Sequence, residues 1–270
     1  MSAPVPAPIY TTGHSASVLR THSWRTAANS AGHLIPHITP DMAILDVGCG
    51  PGSITVDLAR LVPQGHVTGV EYVADPLEHA RALALAEGVT NVSFQTGDIH
   101  SLDFPDNTFD VVHAHQVLQH IADPVRALSE MRRVAKPGGL VACREAASVT
   151  CYPPSEGIEA FWGLSKRMSR AKGGNPLPGS YIHVWAEKAG FDKNKITKSA
   201  GSWCFSSPEE RAYWGGTLAE RASSSVAKTA IEGGFATQEE IDKMVEAWKE
   251  FSEDESGWHA LLHGEIICAK

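Results

Sequence analysis

The residues best able to do chemistry lie in one run, Ile44-Leu45-Asp46-Val47-Gly48-Cys49-Gly50-Pro51-Gly52-Ser53. It follows a short apolar segment and precedes a helical pattern. Glycines there let a ligand approach the backbone closely, and the helix that follows offers free N–H groups with a partial positive charge. The spacing departs from the dinucleotide fingerprint Gly-x-Gly-x-x-Gly, because the third glycine comes one residue early and Ser53 holds its place. Asp46 stands immediately before the turn, where a carboxylate repels a pyrophosphate and attracts an ammonium. The pattern favours a ligand with a positive amino-acid portion over NAD. Glu71 ends the next apolar segment, and a carboxylate at that strand end accepts two hydrogen bonds from a ribose diol. In Gly97-Asp98-Ile99, Asp98 can accept a hydrogen bond from an adenine amino group while Ile99 packs against the ring.

These residues need a scaffold that brings strand ends together. Ala43–Val47, His66–Glu71, Asn91–Gln95, Phe109–Ala114 and Leu140–Cys143 read as strands. Between them stand helical patterns from about Ser53 to Leu61, Asp75 to Glu87 and Asp123 to Ala135. Asp75-Pro76 and Asp123-Pro124 are helix starts, an N-cap residue followed by proline, and Lys136-Pro137-Gly138-Gly139 is a stop. Strands alternating with helices of this length imply a parallel sheet covered on both faces. Residues 1–40 read as an arm and a cap segment, a helix or helix pair from Ser15 to His37, and residues 41–205 as the core, with a sixth strand at Ile196–Phe205. Residues 206–258 read as a helical insertion opened by the capping-box pattern Ser207 to Glu210, with Tyr213-Trp214-Gly215-Gly216 as a bend. Residues 259–270 hold the last strand. An insertion that large in one crossover usually covers a site.

Composition narrows the class. The chain has 270 residues, 43% hydrophobic and 20% charged, which is ordinary for a folded soluble protein. No window approaches the roughly 18 consecutive apolar residues of a membrane span, and the first residues are not a secretory signal. A net charge of −8 without a basic stripe argues against nucleic-acid binding. Five scattered cysteines with no CxxC pair suggest neither a disulfide framework nor a zinc knuckle, and a cytoplasmic setting fits. The cysteines read as core residues, and the thirteen histidines as mostly surface ones.

The motifs ILDVGCGPG, Glu71, GDI at 97–99, FPDNTFDVVHAHQVLQHIADP at 104–124 and EMRRVAKPGG at 130–139 carry a specific resemblance. In order and spacing the chain resembles a class I S-adenosylmethionine-dependent methyltransferase, nearest to the ubiquinone/menaquinone-biosynthesis type. The resemblance implies an α/β fold: a Rossmann-like, seven-stranded, mostly parallel sheet with the last strand antiparallel, helices on both faces and a helical lid. It implies S-adenosyl-L-methionine as cofactor. Asp46, Gly48, Cys49 and Gly50 would surround its methionine portion, Glu71 the ribose, and Asp98, Ile99 and Tyr72 the adenine. His115 and Gln116 would face its sulfonium end, with Tyr10, His14 and Arg25 closing over it.

Methyl transfer asks mostly for orientation and exclusion of water, with a general base where the acceptor must lose a proton. The candidate bases are His115 and His120, with His113 beside them. A metal set from these three histidines lacks carboxylate partners, so no metal is expected. Seven tryptophans are many for this length. Trp203 and Trp214, with Trp24 from the leading helix, suit a flat or apolar small-molecule substrate. Arg144, next to Glu145, could contact it or pair with its neighbour. The expected partner is a small molecule, with a homodimer left open and nucleic acid excluded. The alternatives are an NAD-dependent oxidoreductase and a non-catalytic cofactor-binding protein.

Overall fold

The computed structural model describes residues 21, 22 and 24–270, with the backbone alone at Ser225. Tyr10 and His14 lie outside the described residues. Seven strands form one sheet: β1 Ala43–Val47, β2 His66–Glu71, β3 Val92–Thr96, β4 Phe109–His115, β5 Ala135–Tyr152, β6 Ile196–Phe205 and β7 Trp258–Ala269. Their order across the sheet is β3-β2-β1-β4-β5-β7-β6. The first five run parallel; β7 enters antiparallel between β5 and β6, pairing Leu140 with Ala269 on one side and Ile196 with Cys268 on the other. The mostly parallel sheet with an antiparallel last strand agrees with the expected fold.

The inner strands are apolar runs because both faces are covered. On one face α4 (Pro124–Val134) and α6 (Ile182–Lys188) pack Leu128, Met131 and Ile182 against Val112, Val141 and Ile266. On the other, α1 (Ala27–Ser30), the turn that follows it and α2 (Ser53–Leu61) pack Ala27, Ala31, Leu34 and Leu58 against Ile44, Val67 and Val111. The helix α3 (Asp75–Ala86) packs against β3 and α2. A second core forms where α5 (Glu156–Ala171) meets α7 (Pro208–Ser223), α8 (Ser225–Glu232) and α9 (Gln238–Glu253), around Phe161, Leu218, Met244 and Trp248. Three of these four helices leave the chain between β6 and β7.

Several local expectations need correction. The Lys136–Gly139 stop lies inside β5, which bulges against β4 between Phe109 and Val111 and continues for 18 residues. Beyond Arg144, the last residue paired with β4, β5 pairs with β7 alone as far as Tyr152 and Trp258. Within the leading segment, of the helix and the helix pair left open there, the described residues show a separate short helix: Thr26 caps it, accepting from Asn29 N while Asn29 Oδ1 accepts from Thr26 N. Tyr213–Gly216 is not a bend but the middle of α7. A Cβ on Gly215 would meet Ser252 Oγ at 2.1 Å and Trp248 O at 2.8 Å, so the glycine serves close approach of α7 to α9. Asp75 is the first residue of its helix rather than its cap, whereas Asp123 and Ser207 cap as expected. His100, His113, His115, His259 and His263 are buried, so the described histidines are not mostly surface, and Cys204 is exposed.

Candidate active site

Parallel strands direct their C-terminal ends to one edge, and there the chain opens two adjoining cavities. The first is lined by the β1 turn, Glu71, Tyr72, Ile99, His115 and Gln116. The turn is built by its backbone. Gly48 N and Cys49 N both donate to Val70 O, at 2.7 and 3.1 Å. Gly48 holds φ +71, and a Cβ there would lie 2.4 Å from Val117 Cγ2. Gly50 holds φ +53 with nothing within 4 Å of its Cβ position. Its N–H donates to Glu71 Oε2 at 3.1 Å, while Tyr72 N donates to Glu71 Oε1 at 2.8 Å. Two backbone donors thus fix the Glu71 carboxylate at the cavity wall, and each oxygen retains a lone pair for a hydroxyl donor.

Asp46 is buried, and both its oxygens are engaged. Thr55 Oγ1 donates to Oδ2 at 2.6 Å, and His113 Nδ1 lies 2.8 Å from Oδ1. As in Glu71, each oxygen has one partner and retains a lone pair. Burial, with Asp46 and Glu71 nearby, pushes the Cys49 thiol well above its ordinary range, so it stays protonated and unreactive. Asp98 is less central than expected. Its Oδ1 accepts from His100 N at 2.9 Å and contacts His100 Nδ1 at 2.8 Å, and Gly97 and Ile99 line the cavity rather than Asp98.

Past β4 the chain turns sharply. Gln116 has φ +53, a left-handed conformation that costs a non-glycine residue roughly 1–3 kcal/mol. Three contacts hold it: Gln116 N donates to Arg144 O at 2.8 Å, Arg25 Nη2 donates to Gln116 Oε1 at 2.8 Å, and Gln116 Nε2 lies 2.9 Å from His263 Nε2. The turn that follows is tied by Glu145, whose Oε1 accepts from Val117 N at 2.8 Å and Leu118 N at 2.7 Å. Burial pushes the Glu145 carboxyl up to about 8, with the backbone donors opposing it. Burial, then the Arg25 and Arg144 charges, hold His115 neutral and well below the ordinary imidazole range. Burial and Arg25 bring His120 down to about 4.

The second cavity lies under the helices, lined by Phe161, Trp162, Lys166, Trp203, Trp214 and Arg221 among others. It shares His22, Arg25, Gln116 and His120 with the first, so the two spaces meet at these side chains. Trp203 Nε1 donates to Asn29 O at 2.7 Å, and the Arg25 and Arg144 guanidinium carbons lie 5.5 and 5.1 Å from its ring centre. Trp24 and Arg144 line neither cavity. Trp24 packs edge-on to Trp203, Phe205 and Trp214, each at 5.3 Å. Arg144 is 2% exposed and pairs with Glu265 at 3.1 Å rather than with Glu145, because adjacent strand residues point to opposite faces.

The structure brings Asp46, Gly48, Cys49, Gly50, Glu71, Tyr72, Ile99, His115, Gln116, Arg25 and His120 to the first cavity, and Trp203 and Trp214 to the second. Sequence reasoning missed His22, Gln119, Phe161, Lys166, Arg221 and His259, which line the second cavity. It also missed Glu145 as the anchor of the β4 turn. Only an amphipathic pattern over α5 and α7 hints at them, and it does not distinguish a cavity wall from a core. Among the described residues no group of three or more His, Cys, Asp or Glu could hold a metal ion, and no helix is long and apolar enough to cross a membrane.

Comparison with known proteins agrees with this geometry. Residues 38–164 match a family described as a methyltransferase domain. An uncharacterized methyltransferase of Schizosaccharomyces pombe is 36% identical over 278 residues, covering 100% of this chain and 99% of that protein. A demethylmenaquinone methyltransferase of Symbiobacterium thermophilum is 41% identical over 128 residues, but this spans 47% of this chain and 51% of that protein. In fold, the YcgJ protein of Bacillus subtilis superposes with a TM-score of 0.57 at 18% identity, over 88% of this chain and 96% of that one. A glycine turn between acidic strand ends, in a chain that is similar to a methyltransferase along its whole length, identifies the protein as a class I S-adenosylmethionine-dependent methyltransferase.

Proposed function

We propose that the chain methylates a small, aromatic or apolar molecule, binding the methyl donor in the first cavity and the acceptor in the second. The observation that carries this reading is the junction: Arg25, Gln116 and His120 belong to the walls of both cavities. S-adenosylmethionine supplies a methyl group on a positive sulfur. The first cavity fits it chemically, with two carboxylates, Asp46 and Glu71, and open space where a Gly50 side chain would stand. In this reading Asp46, Gly48, Cys49 and Gly50 surround the amino-acid portion and Arg25 faces its carboxylate. Glu71 accepts from the ribose hydroxyls, while Ile99, Tyr72 and the remaining capacity of Asp98 flank the adenine. Gln116 and His115 border the sulfonium end.

His115 and His120 are the candidate bases. Burial keeps both in the form that can accept a proton but penalises the imidazolium, so positioning and water exclusion carry most of the rate. The helices α5 and α7–α9 act as the lid. A cytoplasmic setting suits five free cysteines, and a small molecule suits an enclosed cavity.

Calorimetry with S-adenosylhomocysteine, set beside NADH, tests the donor site, and a labelled methyl donor with a panel of aromatic acceptors tests turnover. The expected result is binding of the homocysteine nucleoside alone. Binding of NADH in its place overturns the reading.

A further inference from the structure

We propose that His263 is a positioning residue, which holds the Gln116 amide in one orientation at the junction of the two cavities; this deepens the methyl-transfer reading and rests on it. Gln116 belongs to the walls of both cavities, so in that reading the methyl group crosses beside its side chain. His263 is fully buried on β7, 147 residues further along the chain, and lines neither cavity. Its ring centre lies 4.4 Å from that of Trp203, in the wall of the second cavity, and 6.3 Å from that of His115, in the wall of the first. Its cross-strand neighbours are Ala146 on β5 and Gly201 on β6, both small, which leaves room for the ring on that face of the sheet.

The direction of each hydrogen bond follows from which groups can only donate. A guanidinium has no acceptor, so Arg25 Nη2 donates to Gln116 Oε1 at 2.8 Å, and the amide turns its Nε2–H to His263 Nε2, 2.9 Å away. A neutral imidazole has one bare nitrogen. Two donors compete for it: Gln116 Nε2–H, and Arg144 Nη2–H at 3.2 Å from His263 Nδ1. Arg144 is already engaged by Glu265 at 3.1 Å and by Asn29 O, whereas His263 is the one partner of Gln116 Nε2 among the described residues. Leaving the amide N–H unmade costs more than lengthening one contact of a guanidinium that has others. The bare nitrogen is therefore Nε2, and the ring proton sits on Nδ1 with the Leu261 carbonyl as its backbone acceptor. Burial, then the Arg144 and Arg25 charges, bring the imidazole down to about 3, so it stays neutral and able to accept. One directed chain results, from Arg25 through Gln116 and His263 to the backbone of β7. An amide held at both ends offers the junction a single face, and methyl transfer depends on fixed orientation of this kind.

The test uses the full chain and S-adenosylhomocysteine, titrated by calorimetry. His263→Phe keeps a ring against Trp203 and removes both nitrogens, whereas His263→Gln gives up the ring and restores an oxygen that accepts from Gln116. The expected result is that His263→Phe weakens the nucleoside about three- to tenfold, the order of one hydrogen bond, and that His263→Gln recovers most of the loss. In a Gln116→Ala background His263→Phe should add less than about twofold, because no amide remains to be held. A purely structural histidine gives the reverse order, with His263→Phe tolerated and His263→Gln not, and a loss independent of Gln116. Melting curves establish that each variant is folded. Nitrogen NMR of the imidazole-labelled wild type needs no variant: His263 should carry its proton on Nδ1 at neutral pH, with Nε2 bare. A proton on Nε2, no loss in His263→Phe, or an equal loss with and without Gln116, overturns the proposal while binding of the nucleoside to wild type still supports the methyl-transfer reading. Failure of wild type to bind the nucleoside overturns that reading and this inference with it.

Discussion

Replacing Gly48 by alanine separates two costs that glycine avoids at the donor site. The first is backbone strain: a φ of +71 costs an L-residue with a Cβ roughly 1–2 kcal/mol. The second is steric. The new Cβ would stand 2.4 Å from Val117 Cγ2 and 3.2 Å from Cγ1, so that side chain must retreat by about an ångström. It cannot do so freely, because Val117 N is tied to the buried Glu145 carboxyl at 2.8 Å. Overpacking of this kind costs roughly 1–3 kcal/mol, giving a total of about 2–5 kcal/mol for Gly48→Ala. At about 2–4 °C per kcal/mol for a domain approaching this size, the melting temperature should fall by about 4–20 °C. Gly50→Ala has the strain without the clash, since nothing lies within 4 Å of its Cβ position. It should cost stability only about 1–2 kcal/mol, yet weaken S-adenosylhomocysteine at least about tenfold because the methyl enters the cavity. Adding Val117→Ala to Gly48→Ala should recover the steric part, a coupling of about 1–3 kcal/mol in a double-mutant cycle. Calorimetric melting and nucleoside titration of the four proteins provide the check. Equal melting of the Gly48 and Gly50 variants, or no coupling to Val117, refutes the reasoning.

Three further outcomes follow from the same geometry. Glu71→Ala removes a carboxylate already oriented by two backbone N–H groups and should weaken S-adenosylhomocysteine by about 100-fold, with Glu71→Gln intermediate, as read by calorimetry. Glu145 has a folded-state carboxyl raised to about 8 from 4.5, so the stability associated with its protonated form is fully present below about pH 4.5 and is lost as pH rises through about 8; urea melts should show wild type losing a few kcal/mol across that window, and Glu145→Gln a flatter profile. His263 and His120 are lowered to about 3 and about 4, so their contribution is present above about pH 6.5 and is lost as pH falls toward those values; the rate profile should show no imidazole ionisation between pH 6 and 8, and one there assigns a titrating base.

The wall of the first cavity was legible because its signals are local. A strand, a glycine turn and a helix start are consecutive, and Glu71 and Ile99 follow at the ends of strands whose order the pattern implies. Asp123 and Ser207 were readable as caps for the same reason, since a cap and its partner lie within one turn. The acceptor half was not legible. Trp203 sits beside Asn29 and Arg25, about 175 residues away in sequence, and no local pattern encodes such a meeting. Gly215 looked like a bend because two adjacent glycines usually break a helix, but the demand of a neighbouring helix for space prevailed over intrinsic propensity. Arg144 and Glu145 looked like a pair because they are adjacent; strand alternation sends one to Glu265 and the other to the β4 turn. The histidines were placed at the surface by composition, whereas β4 and β7 bury theirs among aromatic rings.

The eighteen-residue length of β5 has a wider effect. Its first half is stitched to β4, while its second half, joined to β7, reaches beyond the parallel strands like a cantilever. A cantilever transmits bending at its root to its tip. The root is Arg144–Glu145, where one side chain grips Glu265 and the other grips the turn that borders the first cavity. Remodelling the helices at the free end can therefore reshape the second cavity while the first stays untouched, whereas a change at the root shifts both at once.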